Sequence, residues 1–252
     1  MTTPELREIP VTPASREAER YELPTWRSRF GIVAGITSRP SDFTLAGAPP
    51  AGASAEHWAA FQAGHETTFA SVQTGYQCHG VQVLTHRDRP RGLVTSADTD
   101  GHVTALCGVL LAVTVADCVP VYLAASDGTV VGLLHAGWRG IAAGIIEHGI
   151  EAFCGVARSS ASNIVSHCGV AICGTCYEVG PEVVRQVLGK RTAGPTRLDL
   201  RRAVAARLVN VGVSDVTLSP WCTAHDTGRF HSHRAAGGRA GRMLAYAGRP
   251  LA

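Results

Sequence analysis

Three short turns hold the residues best suited to chemistry. Q-C-H-G places Gln77 and His79 just before a strand-like run. A-D-C-V-P places Asp117 and Cys118 between two such runs, and H-A-G-W-R-G places His135 and Arg139 between a strand and a helix. Imidazole nitrogen and thiolate sulfur are ligands that Zn2+ favours and that also suit Cu2+, so His79, Cys118 and His135 form a candidate metal set. Three protein ligands leave one coordination position open for water or substrate, as catalytic sites do. The intervals from 79 to 118 and from 118 to 135 are not those of a zinc finger. The same atoms admit a second reading, with Cys118 as nucleophile, His135 as its base, and Asp117 or Gln77 orienting the imidazole or an oxyanion. A third is plain packing, in which the thiol is a small buried hydrophobe and the glycines only turn the chain.

Arg139 stands at the head of a helix read over Gly140 to Phe153, where open backbone amides and a guanidinium fork suit an anion or phosphate. Neither G-x-x-x-x-G-K-[ST] nor a G-x-G-x-x-G after a strand occurs, so ATP and NAD sites are not indicated. The stretch from Arg229 to Arg242 carries His231, His233, Arg234, Arg239 and Arg242. It reads as a solvated basic loop or as a contact for acidic substrate groups. Cys173 and Cys176 form a lone C-x-x-C. With no second such pair, and with Y-E-V-G-P after it where a thioredoxin-like helix would begin, the pair is expected to have no metal or redox function.

The elements that must position these residues follow from pattern. Val109–Val115, Val119–Ala124 and Val130–Leu134 are short β-branched runs separated by turn signals. Further strands are expected within Phe30 to Arg39, at Val81–Thr85, near Gly169 to Cys173 and in the V-T-L-S after Asp215. Helices are expected over Glu56 to Val72, Gly140 to Phe153, Pro181 to Leu188 and Leu198 to Val211. Strands alternate with helices, yet several strands are adjacent and hairpin-linked, which predicts an α/β fold with mixed sheets. Residues 1–24, with four prolines, are expected as a frayed tail, residues 25–252 as one domain, and the C-terminal stretch as a loop.

Composition bounds the rest. Of 252 residues, 45% are hydrophobic and 17% charged, which describes a globular chain with a sizeable core. The net charge of +3 is modest and carried almost wholly by arginine, Lys190 being the single lysine. No basic run with interleaved aromatics suggests a nucleic-acid groove. The longest apolar run, Val103 to Ala116, falls short of the ~18 residues a membrane span needs. The N-terminus has early acids and no apolar core of a signal peptide, so a cytoplasmic protein with reduced cysteines is expected.

Taken together, Q-C-H-G, D-G-H-V-T (Asp100 to Thr104), A-D-C-V-P, H-A-G-W-R-G, Y-E-V-G and C-T-x6-F-H-S-H-R resemble the bacterial YfiH-type family. Its members are also called laccase-domain or multicopper polyphenol oxidoreductase proteins and are grouped as purine nucleoside phosphorylases. The resemblance runs from about Phe30 to Arg242. It implies an α/β/β/α layered sandwich and metal ligands at His79, Cys118 and His135. It also implies phosphorolysis of adenosine, inosine and methylthioadenosine with some adenosine deamination, so the expected partners are a purine nucleoside and phosphate. On that reading Asp117, Cys118 and Arg139 are the catalytic residues, and Arg39, Gln77, Arg139 and Arg234 contact substrate or phosphate. The family's broad architecture is shared with toxin cysteine hydrolases, and some relatives act on peptidoglycan precursors, which keeps a Cys118 amidase open. A non-catalytic partner of envelope or division proteins is a further alternative. Multicopper oxidation ranks last, because one three-ligand set cannot build an electron relay. The sequence departs from the usual F-[FY]-S-[YH]-R-R-[DE]-G at His231, Ala235 and Ala236.

Overall fold

In the computed structural model, which describes residues 3–11, 19–45 and 49–251, two sheets lie face to face with helices on both outer sides. The first has seven strands in the spatial order Ile9–Val11, Arg20–Glu22, Val33–Thr37, Met243–Arg249, Val109–Val115, Ser71–Gly75 and Gly92–Ser96. The second has six, in the order Asp215–Leu218, Ile164–Cys168, Val119–Ala125, Val131–Ala136, Gly101–Thr104 and Val83–His86. Both are mixed. Val131–Ala136 runs antiparallel to both its neighbours, whereas Ser71–Gly75 runs parallel to both of its own.

Side-chain alternation builds the layers. Leu111, Val113, Ala245 and Ala247 of the first sheet meet Tyr122, Ala124, Val131 and Leu133 of the second in one apolar core. The intervening residues Leu110, Ala112, Leu244 and Tyr246 point outward, onto Trp58 and Phe61 of helix Gly52–His65. On the far side, Val119, Val121, Leu123 and Leu134 pack against helices Ile145–Ala157, Pro181–Leu188 and Leu200–Asn210. The result is the expected α/β/β/α sandwich. Because Val109–Val115 and Val119–Ala125 are covered on both faces, they read as continuous apolar runs, which is why the sequence placed them well.

Several expectations need correction. The segment expected to fray supplies two strands of the first sheet, and its Glu8 is fully buried, accepting a hydrogen bond at 2.6 Å from Ser219 and facing His167 at 3.0 Å. Residues 1–2 and 12–18 of that segment lie outside the described residues. The helix expected over Gly140 to Phe153 is two helices, Trp138–Ala143 and Ile145–Ala157, broken at Gly144, whose φ of 102° only glycine adopts readily. The C-terminal stretch does not end as loop: Met243–Arg249 is a central strand. The strand expected near Gly169 lies at Ile164–Cys168. Among the described residues no helix is long and apolar enough to cross a membrane.

Candidate metal centre and active site

The chain passes from one sheet to the other at Ala116-Asp117-Cys118, between strands Val109–Val115 and Val119–Ala125. Asp117 takes a φ of 88° to make that crossing, an uncommon conformation for a side chain other than glycine. Cys118 thus stands at the mouth of the second sheet. His135 arrives beside it because Val131–Ala136 pairs antiparallel with Val119–Ala125, setting His135 opposite Pro120. His79 comes from the loop after Ser71–Gly75, and its backbone also has positive φ, 60°.

One carboxylate fixes that loop. Asp100, fully buried, accepts the backbone N–H groups of Cys78 and His79 at 3.1 Å and of Gly80 at 2.8 Å. It also takes a hydrogen bond from His135 Nδ1 at 2.7 Å. His135 therefore turns Nε2 towards His79 and Cys118, in the carboxylate–histidine arrangement common behind metal-binding imidazoles. Cys118 Sγ lies 3.8 Å from His79 Nε2, and one donor atom from each of the three residues falls within 4.8 Å of the others. Gly137 makes room for them: a Cβ there would lie 2.6 Å from His79 Cδ2 and 3.1 Å from Cys118 Sγ.

The donor set fits a metal ion by its chemistry. Burial resists ionisation of Cys118, but the neighbouring His135 and His79 outweigh it and lower the thiol to about 6. Burial likewise opposes charge on His135, yet Cys118 and Asp100 raise it to about 9. Asp100 is lowered to about 2, its burial overcome by His135 and by the backbone amides it accepts. A ready thiolate and an oriented imidazole are what a divalent ion requires of its ligands.

The three side chains open into a cavity of about 620 Å³. Arg139, Arg234, Arg242 and His233 give its lining a cationic character, and Trp138 and Tyr177 give it two aromatic walls. Each wall carries a guanidinium: Arg139 lies 4.4 Å over Trp138 and Arg234 lies 4.9 Å over Tyr177.

With this arrangement in view, residues 51–249 match the family described as multi-copper polyphenol oxidoreductase laccase. The chain belongs to that family. It is 38% identical over 192 residues to a protein named purine nucleoside phosphorylase YlmD from Geobacillus stearothermophilus, covering 69% of this chain and 70% of that one. It is also 38% identical over 181 residues to a purine nucleoside phosphorylase from Deinococcus radiodurans, covering 69% and 68%. The crystal structure of YlmD from Geobacillus stearothermophilus superposes with a TM-score of 0.85 at 27% identity, covering 97% of this chain and all of that one. Bacillus licheniformis YfiH shares the fold, with a TM-score of 0.81 at 24% identity over 91% of this chain and 96% of that one.

Within this laccase-family site the remaining sequence candidates divide. Gln77 lines the cavity, but its carboxamide is committed to Thr114: Nε2 donates to the Thr114 carbonyl at 2.8 Å, and Oε1 accepts the Thr114 N–H at 2.7 Å. It ties the His79 loop to the strand leading into Asp117 and Cys118. Asp117 is similarly committed, accepting Thr223 Oγ1 on one oxygen at 2.5 Å and the Arg234 N–H on the other at 2.7 Å. Its carboxylate therefore holds the 223 and 234 segments in place. Arg39 does not line the ligand cavity. It donates to the Thr227 carbonyl at 2.9 Å beside a separate, shallower depression that also touches His231 and Arg239. Arg242, noted in the sequence only as part of a basic stretch, stands in its place in the main cavity. Asp100 was the functional residue missed. The D-G-H-V-T motif contained it, but no sequence interval ties it to His135; only the pairing of Leu134 with Gly101 does so.

Proposed function

We propose that this protein is a metal-dependent purine nucleoside phosphorylase, converting adenosine, inosine or methylthioadenosine and phosphate to the free base and the pentose 1-phosphate. A lesser adenosine deaminase activity belongs to the same proposal. The observation that carries the reading is the open His79–Cys118–His135 set at the floor of a cavity whose walls pair two arginines with two aromatic rings. The names of the relatives support it. The metal is proposed to be zinc, which this mixed imidazole and thiolate set suits.

Phosphorolysis joins a phosphate oxygen to C1′ as the bond from C1′ to the purine breaks, and the bonding pair leaves with the base. That step asks for an anion held against the sugar and a base held still. Arg139 and Arg234 supply the first: both guanidiniums reach the cavity, and forked donors match phosphate oxygens. Trp138 and Tyr177 supply flat surfaces against which a purine can lie. Gln77 and Asp117 keep the supporting loops in register, and Asp100 sets the tautomer and direction of His135. His79, Cys118 and His135 would hold the zinc ion, which would supply Lewis-acid polarisation there.

The test is a chromatographic assay with adenosine and phosphate, run beside zinc analysis of the same preparation. Adenine and ribose 1-phosphate should form, with one equivalent of zinc and both products lost in His79→Ala. Zinc-loaded protein that leaves all three nucleosides intact would refute the proposal. A second reading rests on one specific observation, the chain of contacts from Asp100 through His135 to the low-pKa thiol of Cys118, which is also the arrangement of a cysteine hydrolase. His79→Ala separates the two, because a Cys118–His135 hydrolase acting on an amide would survive it.

A further inference from the structure

The C-x-x-C set aside in the sequence gains partners in the fold. Cys173-Gly174-Thr175-Cys176 is a tight turn closed by Cys176 N–H to the Cys173 carbonyl at 3.1 Å. Facing it is a second turn, Cys222-Thr223-Ala224-His225, closed by Asp226 N–H to the Cys222 carbonyl at 2.9 Å. The two turns are already joined, because Ala171 pairs with Cys222 in an isolated bridge and Thr223 N–H donates to the Ala171 carbonyl at 3.2 Å. The result brings three thiols and an imidazole to one point. Cys176 Sγ is 3.1 Å and Cys173 Sγ 3.8 Å from the His225 ring nitrogens, and one donor atom from each of the four residues lies within 4.8 Å of the rest. None of the four lines the main cavity.

We propose that Cys173, Cys176, Cys222 and His225 form a second metal site, a closed tetrahedral zinc centre of three thiolates and one imidazole with a structural role. Zinc–sulfur bonds of ~2.3 Å in a tetrahedron put the sulfurs ~3.8 Å apart, and the donor atoms of the present cluster all lie within 4.8 Å of one another. The sulfurs are also supported as zinc thiolates are. The Cys173 N–H points at Cys222 Sγ from 3.3 Å, a hydrogen bond that stabilises negative charge on sulfur. Four protein ligands leave no open position, so the site binds rather than catalyses. Loading displaces the protons of the three thiols to solvent, and the His225 imidazole binds neutral. The sequence signature is a C-x-x-C completed by a C-x-x-H, which a search for a second C-x-x-C passes over.

The centre's position gives it a purpose. Cys176 precedes Tyr177, an aromatic wall of the cavity, and Cys222 precedes Thr223, which holds Asp117. A metal clamp across these turns would brace both from behind. The site does not depend on the proposed nucleoside chemistry, and its test does not read that chemistry.

The experiment is zinc quantification on the full chain purified under reducing conditions, in wild type, His225→Ala, His225→Cys and His79→Ala. His225 is exposed, so its replacement leaves the core intact. Wild type should carry about two zinc ions per chain, His225→Ala and His79→Ala about one each, and their combination close to none. His225→Cys should restore the second ion in an all-thiolate site. Cobalt substitution should give intense sulfur-to-metal charge-transfer absorption that His225→Ala diminishes. Wild type holding no more than the single ion removed by His79→Ala would overturn the proposal, as would His225→Ala retaining the wild-type zinc content. A Cys173–Cys176 disulfide in the reduced, zinc-supplemented protein would overturn it too.

Discussion

Replacing Asp100 with asparagine probes how the cavity's ligand set is held together. The carboxylate has no exposed surface and serves five donors at once: His135 Nδ1–H, the Cys78 thiol, and the amides of Cys78, His79 and Gly80. Asparagine has one acceptor oxygen and one donor nitrogen in nearly the same volume. If the oxygen faces His135 and the His79 amide, the NH2 group confronts the Cys78 and Gly80 N–H groups, donor against donor. If the group flips, His135 loses its anchor and its preferred tautomer. Either way, at least one buried donor goes unsatisfied, at a cost of ~1–3 kcal/mol each. Loss of the carboxylate behind a metal-binding imidazole typically weakens metal affinity ~10–100-fold. Asp100→Asn should therefore lower zinc affinity by that factor in competition with a chromogenic chelator. It should lower unfolding free energy by ~1–3 kcal/mol in urea. Zinc affinity within about twofold of wild type, together with unchanged stability, would refute the assignment of Asp100 as the positioning residue.

Three other outcomes follow from the same geometry. Gly137→Ala, whose added methyl would sit 2.6 Å from His79 Cδ2, should push that ring aside and weaken zinc binding while the melting temperature stays near wild type. Glu8→Ala should cost ~1–3 kcal/mol per stranded group in urea unfolding, because His167 Nε2 and Ser219 Oγ both lose their partner in a buried site. In metal-stripped protein, iodoacetamide should alkylate Cys118 with a midpoint near pH 6 by peptide mapping, where the neighbouring imidazoles set the thiol at about 6. The sign follows from His135 and His79, which favour the thiolate, so it persists as pH falls from the ordinary thiol value of 9.0 and is lost only through about 6. Zinc should protect the residue, and a midpoint left at the ordinary thiol value would contradict the pairing with His135.

What the sequence disclosed depended on how locally each feature is encoded. Val109–Val115 and helix Pro181–Leu188 fell where expected, because a doubly covered strand is a plain apolar run and the helix carries proline at its start and Gly189 after its end. Met243–Arg249 escaped notice because its M-L-A-Y-A-G-R mixes small residues with glycine, yet it is held on both sides, by Val33–Thr37 and Val109–Val115, strands far from it in the chain. Ile9–Val11 and Arg20–Glu22 were hidden among prolines; their place depends on Glu8 finding His167 and Ser219. Cys118 and His135 were legible because glycine, proline and polar residues at strand ends mark turns. Asp100 and the 222–225 turn were not, because their partners are set by register and not by spacing.

The two clusters also explain why Asp117 tolerates its positive φ. The crossing between sheets must be short to put Cys118 beside His135, and a non-glycine residue there is strained by ~1–3 kcal/mol unless its surroundings hold it. Both Asp117 oxygens are held, one by Thr223 and one by the Arg234 backbone, and its carbonyl accepts the Ile172 N–H at 3.1 Å. Thr223 adjoins Cys222, and Ile172 adjoins Cys173. Two of the contacts that fix the Cys118 turn thus originate beside the second cluster, and the third fixes the backbone of Arg234 at the cavity. The geometry of the first cluster and the turns that carry the second are therefore linked through a single aspartate.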